Sequence, residues 1–90
     1  MIEYPIANPE IVFREELDEA ILFNPNTGEI KLLNETGAFI YKLLDAKHSV
    51  EQIVDKLAKS FEIESREDAL AEVREFIDSL QEKNLVGEEF

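Results

Sequence analysis

The sequence predicts an α+β fold, in which a three-stranded antiparallel sheet is followed by a three-helix bundle. Short β-prone runs with turn residues between them occupy the first third of the chain, and apolar residues recur with helical spacing from Asn34 onwards. The length of 90 residues is that of one domain. In this domain we expect an extended arm at 1–10, the sheet at 11–33, the helices at 34–86 and a tail at 87–90.

The strongest strand signal is a β-hairpin. Residues 20–23 and 29–33 are β-prone, and the linker 24–28 between them consists of Asn, Pro, Thr and Gly, the residue types that build turns. A further β-prone run at 11–14 precedes the hairpin and completes a small antiparallel sheet. We expect the acidic cluster between 15 and 19 to form an exposed turn.

Three helices are predicted from amphipathic stripes and from the residues that cap them. Asn34 is the expected N-cap of a first helix at about 35–45. The second helix begins with Ser-x-x-Gln at Ser49, a pattern typical of a capping box, and the third begins in the same way at Ser65, with Asp68 as a weaker partner than Glu or Gln. The third helix should end near Asn84, a residue type that tolerates the left-handed backbone conformation.

The net charge of the chain excludes several classes of partner. Its 21 acidic and 9 basic residues give −12, a field that repels phosphate backbones and anionic lipid surfaces. The predicted combination of a hairpin with three helices is winged-helix-like, but the helix that would read DNA, 66–83, carries six acids and three bases. We therefore expect neither a nucleic-acid partner nor a membrane partner.

The location that the sequence favours is the cytoplasm. No apolar run approaches the ~18 residues that cross a bilayer, and the N-terminus lacks the features of a signal peptide. Cysteine is absent, which excludes disulfides and thiolate sites and fits a reducing compartment.

Catalytic and metal-binding patterns are missing from the sequence. His48, the single histidine, lies in a polar connection where we expect no orienting partner and no nucleophile. The carboxylates match neither the spacing of a calcium loop nor that of a zinc site, and no phosphate-binding glycine loop occurs. We predict a protein without enzymatic activity, cofactor or metal.

The edge of the predicted sheet is the remaining candidate for a binding site. An edge strand leaves N–H and C=O groups unpaired, and an extended peptide can use them by adding itself as a further strand. A proline in place of Lys31 is expected to delete one such donor and to weaken binding. The alternative is that the edge is short, guarded by Glu29 and Lys31, and serves no partner.

An ordered set of segments carries a family resemblance that spans residues 11–86. The segments are Phe13-Arg14-Glu15-Glu16, Ala20-Ile21-Leu22-Phe23-Asn24-Pro25, Leu32-Leu33-Asn34-Glu35-Thr36-Gly37, Tyr41-Lys42-Leu43-Leu44-Asp45, Ser49-Val50-Glu51-Gln52-Ile53-Val54 and 76–86. In this order and spacing they resemble the PqqD family, coenzyme PQQ synthesis protein D. Two positions depart from the family, since Ala46 and Asn84 stand where glycine is common.

The resemblance implies a non-enzymatic peptide-binding module. Such modules hold the leader of a ribosomal precursor peptide and present it to a modifying enzyme, typically a radical SAM enzyme, in the biosynthesis of PQQ or of related peptide-derived products. In the family, the leader adds to the third strand and packs against the third helix. On this chain we expect Arg74 to be the partner of an acidic leader residue, because of the charges that surround it in the sequence. The peptide-binding residues so predicted are Glu29, Ile30, Lys31, Leu32, Leu33, Val73, Arg74 and Ile77.

The runner-up interpretation is a structural or self-associating domain without a leader partner. The arm at 1–10 contains Pro5 and Pro9 and has little reason to fold on its own chain. A homodimer could form through an edge strand or by exchange of the arm or the hairpin between protomers.

Overall fold

The computed structural model describes residues 3–17 and 19–88. These residues form three helices, a three-stranded sheet and a separate two-stranded sheet, and they confirm the predicted α+β architecture of three antiparallel strands followed by three helices. The elements in chain order are β1 (Ile6–Ala7), β2 (Val12–Glu16), β3 (Glu19–Phe23), β4 (Ile30–Leu33), α1 (Glu35–Tyr41), α2 (Val50–Ser60), α3 (Arg66–Glu82) and β5 (Val86–Gly87).

The main sheet has the strand order β2-β3-β4, so that β3 is central and the other two strands form the edges. Its register places Phe13 opposite Leu22, and Leu22 opposite Lys31. The alternation of side chains gives the sheet a buried face, which carries Leu22 and Leu33, and an outer face, which carries Ile30 and Leu32. Ile30 and Leu32 therefore share a face, as the sequence predicts, and that face is open to solvent.

The acidic cluster at 15–19 is not a turn throughout, and that expectation is wrong. β2 continues to Glu16 and β3 already begins at Glu19, where the two residues pair across the hairpin. Leu17, in the turn between them, has a φ of 52° and is fully exposed.

The predicted caps form at Asn34 and Ser49, whereas at Ser65 the hydroxyl accepts from the Asp68 amide without the reciprocal bond of a capping box. The Asn34 side chain accepts a hydrogen bond from the Gly37 amide, and Ser49 and Gln52 make both bonds of the capping box. α1 ends four residues earlier than the expected 45, because the amides of Leu43 and Leu44 bond three positions back and tighten the last turn.

The core lies where α2 and α3 pack on each other and where α1 packs on α2 and on strands β3 and β4. Its fully buried side chains include Ile53 and Leu57 from α2, Val73 and Leu80 from α3, and Leu22 from β3. The carboxylates of α3 lie on its exposed side, as expected for a solvated helix face. These are Glu67, Asp68, Glu72, Glu75, Asp78 and Glu82.

Residues 3–10 of the arm are bound to the rest of the chain, so the expectation that the arm has little to fold against is wrong; residues 1 and 2 lie outside the described part. β1 pairs antiparallel with β5, Pro5 is fully buried, and the Asn8 amide donates to the carbonyl oxygen of Leu85 at 2.9 Å. The arm thus joins the start of the chain to the segment that follows α3.

Within residues 3–17 and 19–88, no helix is both long enough and apolar enough to span a bilayer.

Candidate functional site

The hydrogen-bonding pattern between β3 and β4 determines which backbone groups of the edge strand β4 point outward. The amide of Asn24 donates to the carbonyl oxygen of Glu29 at 2.9 Å, one step outside the pair formed by Phe23 and Ile30. In an antiparallel ladder, bonded and non-bonded pairs alternate, so Phe23 and Ile30 form a non-bonded pair. The N–H and C=O groups of Ile30 therefore point away from β3, toward the open edge.

The same alternation assigns the rest of β4. Leu32 lies two residues after Ile30 and therefore also directs its N–H and C=O groups outward. The N–H and C=O groups of Lys31 and Leu33 bond to β3. Two donors and two acceptors are thus available at this edge. The residues that carry them, Ile30 and Leu32, have apolar side chains that are 62% and 73% exposed.

A shallow pocket adjoins this edge on the inner side of the sheet. Leu22 and Leu85 contribute apolar lining, Ile30 and Lys31 come from β4, and Lys83 comes from the end of α3. The pocket measures about 30 Å³, room for the tip of one side chain and far less than a small-molecule site of ~300 Å³ or more. Its size and position suit one side chain of a strand laid along β4.

An ion pair spans one end of the pocket. The Lys83 Nζ lies 3.4 Å from the Glu29 Oε2, and both side chains are more than half exposed. A pair of this exposure contributes little to stability and exchanges readily with other partners.

The structure brings only part of the predicted site together. Glu29, Ile30, Lys31, Leu32 and Leu33 follow one another along the edge. In contrast, the side chains of Val73 and Ile77 are 0% and 3% exposed and belong to the core. Arg74 is half-buried and already has an interaction partner of its own.

Four residues that line the pocket were not predicted from the sequence, namely Leu22, Asn24, Lys83 and Leu85. Lys83 and Leu85 reach β4 because the chain reverses at Asn84, which has a φ of 59°. The reversal itself is predictable from the residue type, but its placement of Lys83 against Glu29 is a tertiary contact with no local signal.

The opposite edge, β2, is less suited to an apolar peptide. Its outer rim carries Glu15 and Glu16, and Glu15 pairs with the Lys42 Nζ at 2.6 Å. Phe13 is turned inward and stacks on Tyr41, with ring centroids 5.1 Å apart. β4 is therefore the edge that offers exposed apolar side chains together with outward backbone groups.

His48 has an orienting partner after all, which corrects the sequence-based expectation. Its Nδ1 lies 3.0 Å from Asp45 Oδ1, and this hydrogen bond is the main reason why the pKa of Asp45 is lowered. The neighbouring hydroxyl, on Ser49, accepts a hydrogen bond from the Gln52 amide as a helix cap. The pair thus holds the connection between α1 and α2, without a nucleophile beside it.

The described part of the chain contains no group of three or more His, Cys, Asp or Glu side chains placed to hold a metal ion.

Comparison with known proteins gives matches to one family model and to solved structures. The family model of coenzyme PQQ synthesis protein D (PqqD) matches residues 19–86. A structure of TbiB1 in complex with the TbiA(beta) leader peptide is 25% identical, with a TM-score of 0.82 over 94% of this chain and 98% of that chain. A lasso peptide synthetase B1 complexed with the leader peptide is 26% identical, with a TM-score of 0.82 over 93% and 98%. No curated protein matches the sequence.

Proposed function

This chain belongs to the PqqD family, as its sequence segments predict, and on that premise we propose that it holds the leader of a ribosomal precursor peptide by strand addition at β4. The observation that carries the proposal is the pair of residues Ile30 and Leu32, whose backbone groups face outward beside a pocket lined by leucines and lysines. Two structural neighbours complexed with leader peptides support it.

The edge offers a peptide both affinity and selectivity. Four backbone hydrogen bonds become available at Ile30 and Leu32, and each contributes about 0.5–1.5 kcal/mol net. Side chains of the added strand alternate between the outer face and the pocket. The backbone groups accept any extended peptide, and the side-chain positions select among them.

The bound leader would be presented to a modifying enzyme, of the radical SAM type that the family resemblance implies. The module itself then needs only to bind, with no catalysis and no cofactor of its own. We place it in the cytoplasm, where a ribosomal precursor meets the enzyme that modifies it. A structural or self-associating domain without a leader is not favoured, because the structural neighbours carry leader peptides.

The first prediction tests the edge with a proline at position 30. Ile30→Pro removes an outward N–H that β3 does not use, so the fold should persist while leader affinity falls about two- to tenfold. Ile30→Ala is the matched control, because it removes the apolar side chain but keeps the donor. Affinity is measured by titrating labelled candidate leaders, taken from short genes that neighbour this one.

Amide chemical shifts recorded during the same titration locate the site. The shifts should concentrate at Ile30, Leu32, Lys83 and Leu85. Shifts that map to 50–60 on α2 instead would show that the leader binds elsewhere, and Ile30→Pro binding as tightly as Ile30→Ala would rule out strand addition at β4.

A further inference from the structure

We propose that the β4 edge selects an acidic peptide residue opposite Lys31, where the side chains of Lys31 and Lys83 together receive its carboxylate. The inference rests on the proposed function and adds to it the chemistry of the peptide. It follows from the direction in which the side chains alternate, from the charges around the pocket, and from the exposure of the flanking residues.

The direction comes from the pleat of the sheet. Ile30 and Leu32 direct their side chains to the outer face, so Lys31 between them belongs to the inner side and lines the pocket. In an antiparallel addition, the peptide residues opposite Ile30 and Leu32 lie on the outer face. The residue opposite Lys31 therefore points inward, to the pocket lined by both lysines.

The charges make this point electropositive within an acidic molecule. Lys31 forms no ion pair with any residue of 3–17 or 19–88, and the exposed pair between Lys83 and Glu29, at 3.4 Å, is readily exchanged. Arg74, the cation that the sequence suggested for an acidic leader residue, does not line this pocket. Glu29 is the acidic residue among those that line the pocket, so the two lysines leave it with a net positive charge, which favours a carboxylate over an amide.

The flanking positions complete the pattern. Ile30 and Leu32 are apolar and mostly exposed, so apolar or β-branched peptide residues opposite them would cover both side chains. The peptide that fits the edge best is therefore an extended segment with an acidic residue between two apolar ones.

The test is a selection from a library of displayed random heptapeptides against the full chain. The wild type should enrich peptides with Asp or Glu between two apolar residues, and Lys31→Gln and Lys83→Gln should each weaken that enrichment. Lys56→Gln on α2 is the matched control, because it makes the same charge change on an exposed face away from the edge.

Synthetic versions of one enriched peptide then give the magnitude. The Glu form should bind about two- to fivefold tighter than its Gln form, the range of an opposite-charge pair across strands. This preference should disappear in Lys31→Gln combined with Lys83→Gln and persist in Lys56→Gln. Enriched peptides without an acidic position, or equal binding of both forms, would overturn the acidic subsite and leave strand addition standing. A library from which nothing is enriched would overturn both.

Discussion

At the scale of the residue, the backbone conformation of Ala46 stands out. Ala46 has a φ of 65°, in the left-handed region that costs a residue with a Cβ roughly 1–2 kcal/mol. Asn84 adopts a similar conformation at φ 59° with less cost, since asparagine tolerates it. Both positions are those where the family resemblance indicated glycine, and the positive φ is the physical reason for that preference.

Ala46→Gly should consequently stabilise the protein. Glycine removes the steric cost at Ala46, and the gain is partly offset by the greater freedom of glycine in the unfolded chain. We expect the free energy of unfolding to rise by about 0.5–1 kcal/mol and the melting temperature by a few degrees. Ala58→Gly, in the exposed interior of α2, is the control and should lose about 1 kcal/mol. A loss of stability in Ala46→Gly would mean that the left-handed conformation is not strained.

At the scale of the element, local features were predictable and long-range ones were not. The capping box of α2 was predicted because its two partners, Ser49 and Gln52, are three residues apart. The arm was misjudged because its hydrogen-bonding partners are distant in sequence: some lie about 40 residues away, between α1 and α2, and the others almost 80 residues away, beyond α3. A short polar segment with two prolines gives no sign of where its backbone groups are satisfied.

The position of the edge strand was predicted correctly, but it was not predictable which of its residues bond to β3 and which direct their backbone groups outward. The sequence suggested Lys31 as the site for a proline, whereas its N–H lies on the side of β3 and supports the sheet. The outward groups belong to Ile30 and Leu32. Periodicity also identified the stripe of α3 without distinguishing side chains that reach a groove from those, such as Val73, that fill the core.

Asn8→Ala tests whether the arm is an integral element of the fold. Asn8 is 6% exposed, its Nδ2 donates to the Asn84 carbonyl oxygen at 2.9 Å, and its Oδ1 accepts from the Glu10 amide at 2.9 Å. Loss of both bonds should lower the free energy of unfolding by about 2 kcal/mol in urea titrations. Asn8→Asp keeps the acceptor but sets a carboxylate oxygen against the Asn84 carbonyl oxygen, so at neutral pH it should be at least as destabilised as Asn8→Ala. Unchanged stability in Asn8→Ala would show that the arm docks without stabilising the fold.

At the scale of the whole molecule, the open edge and the large negative charge act against each other. An edge strand with outward N–H and C=O groups invites pairing with a second copy, as the sequence analysis anticipated. A charge of −12 on each copy opposes that encounter at low ionic strength and is screened within ~8 Å at physiological salt. The stability of a dimer therefore depends on which side chains the two copies place opposite each other.

A two-fold pairing of β4 with its copy has one favourable register and one specific penalty. Antiparallel pairing centred on Lys31 sets Ile30 against Leu32 of the partner subunit, and the reverse, so that all the outward groups of both strands are bonded. The same register sets Lys31 directly opposite Lys31 of the partner subunit, and like charges in that position destabilise a sheet. Lys31 thus discourages self-pairing at the same edge where it would favour an acidic peptide.

We therefore propose a weak monomer–dimer equilibrium through β4, one that Lys31→Thr strengthens. Threonine is β-prone and neutral, so the substitution removes the charge conflict at the two-fold axis and should tighten the dimer about two- to fivefold. Lys56→Thr, which changes the net charge equally but far from β4, should leave the equilibrium close to that of the wild type. Light scattering over a concentration series measures the dimerisation of both variants.

A bound peptide should return the Lys31→Thr dimer to monomer, because the peptide and the partner subunit need the same N–H and C=O groups of Ile30 and Leu32. A dimer whose mass is unchanged at saturating peptide would place self-association on another surface, and a strict monomer of Lys31→Thr at millimolar concentration would remove the dimer altogether.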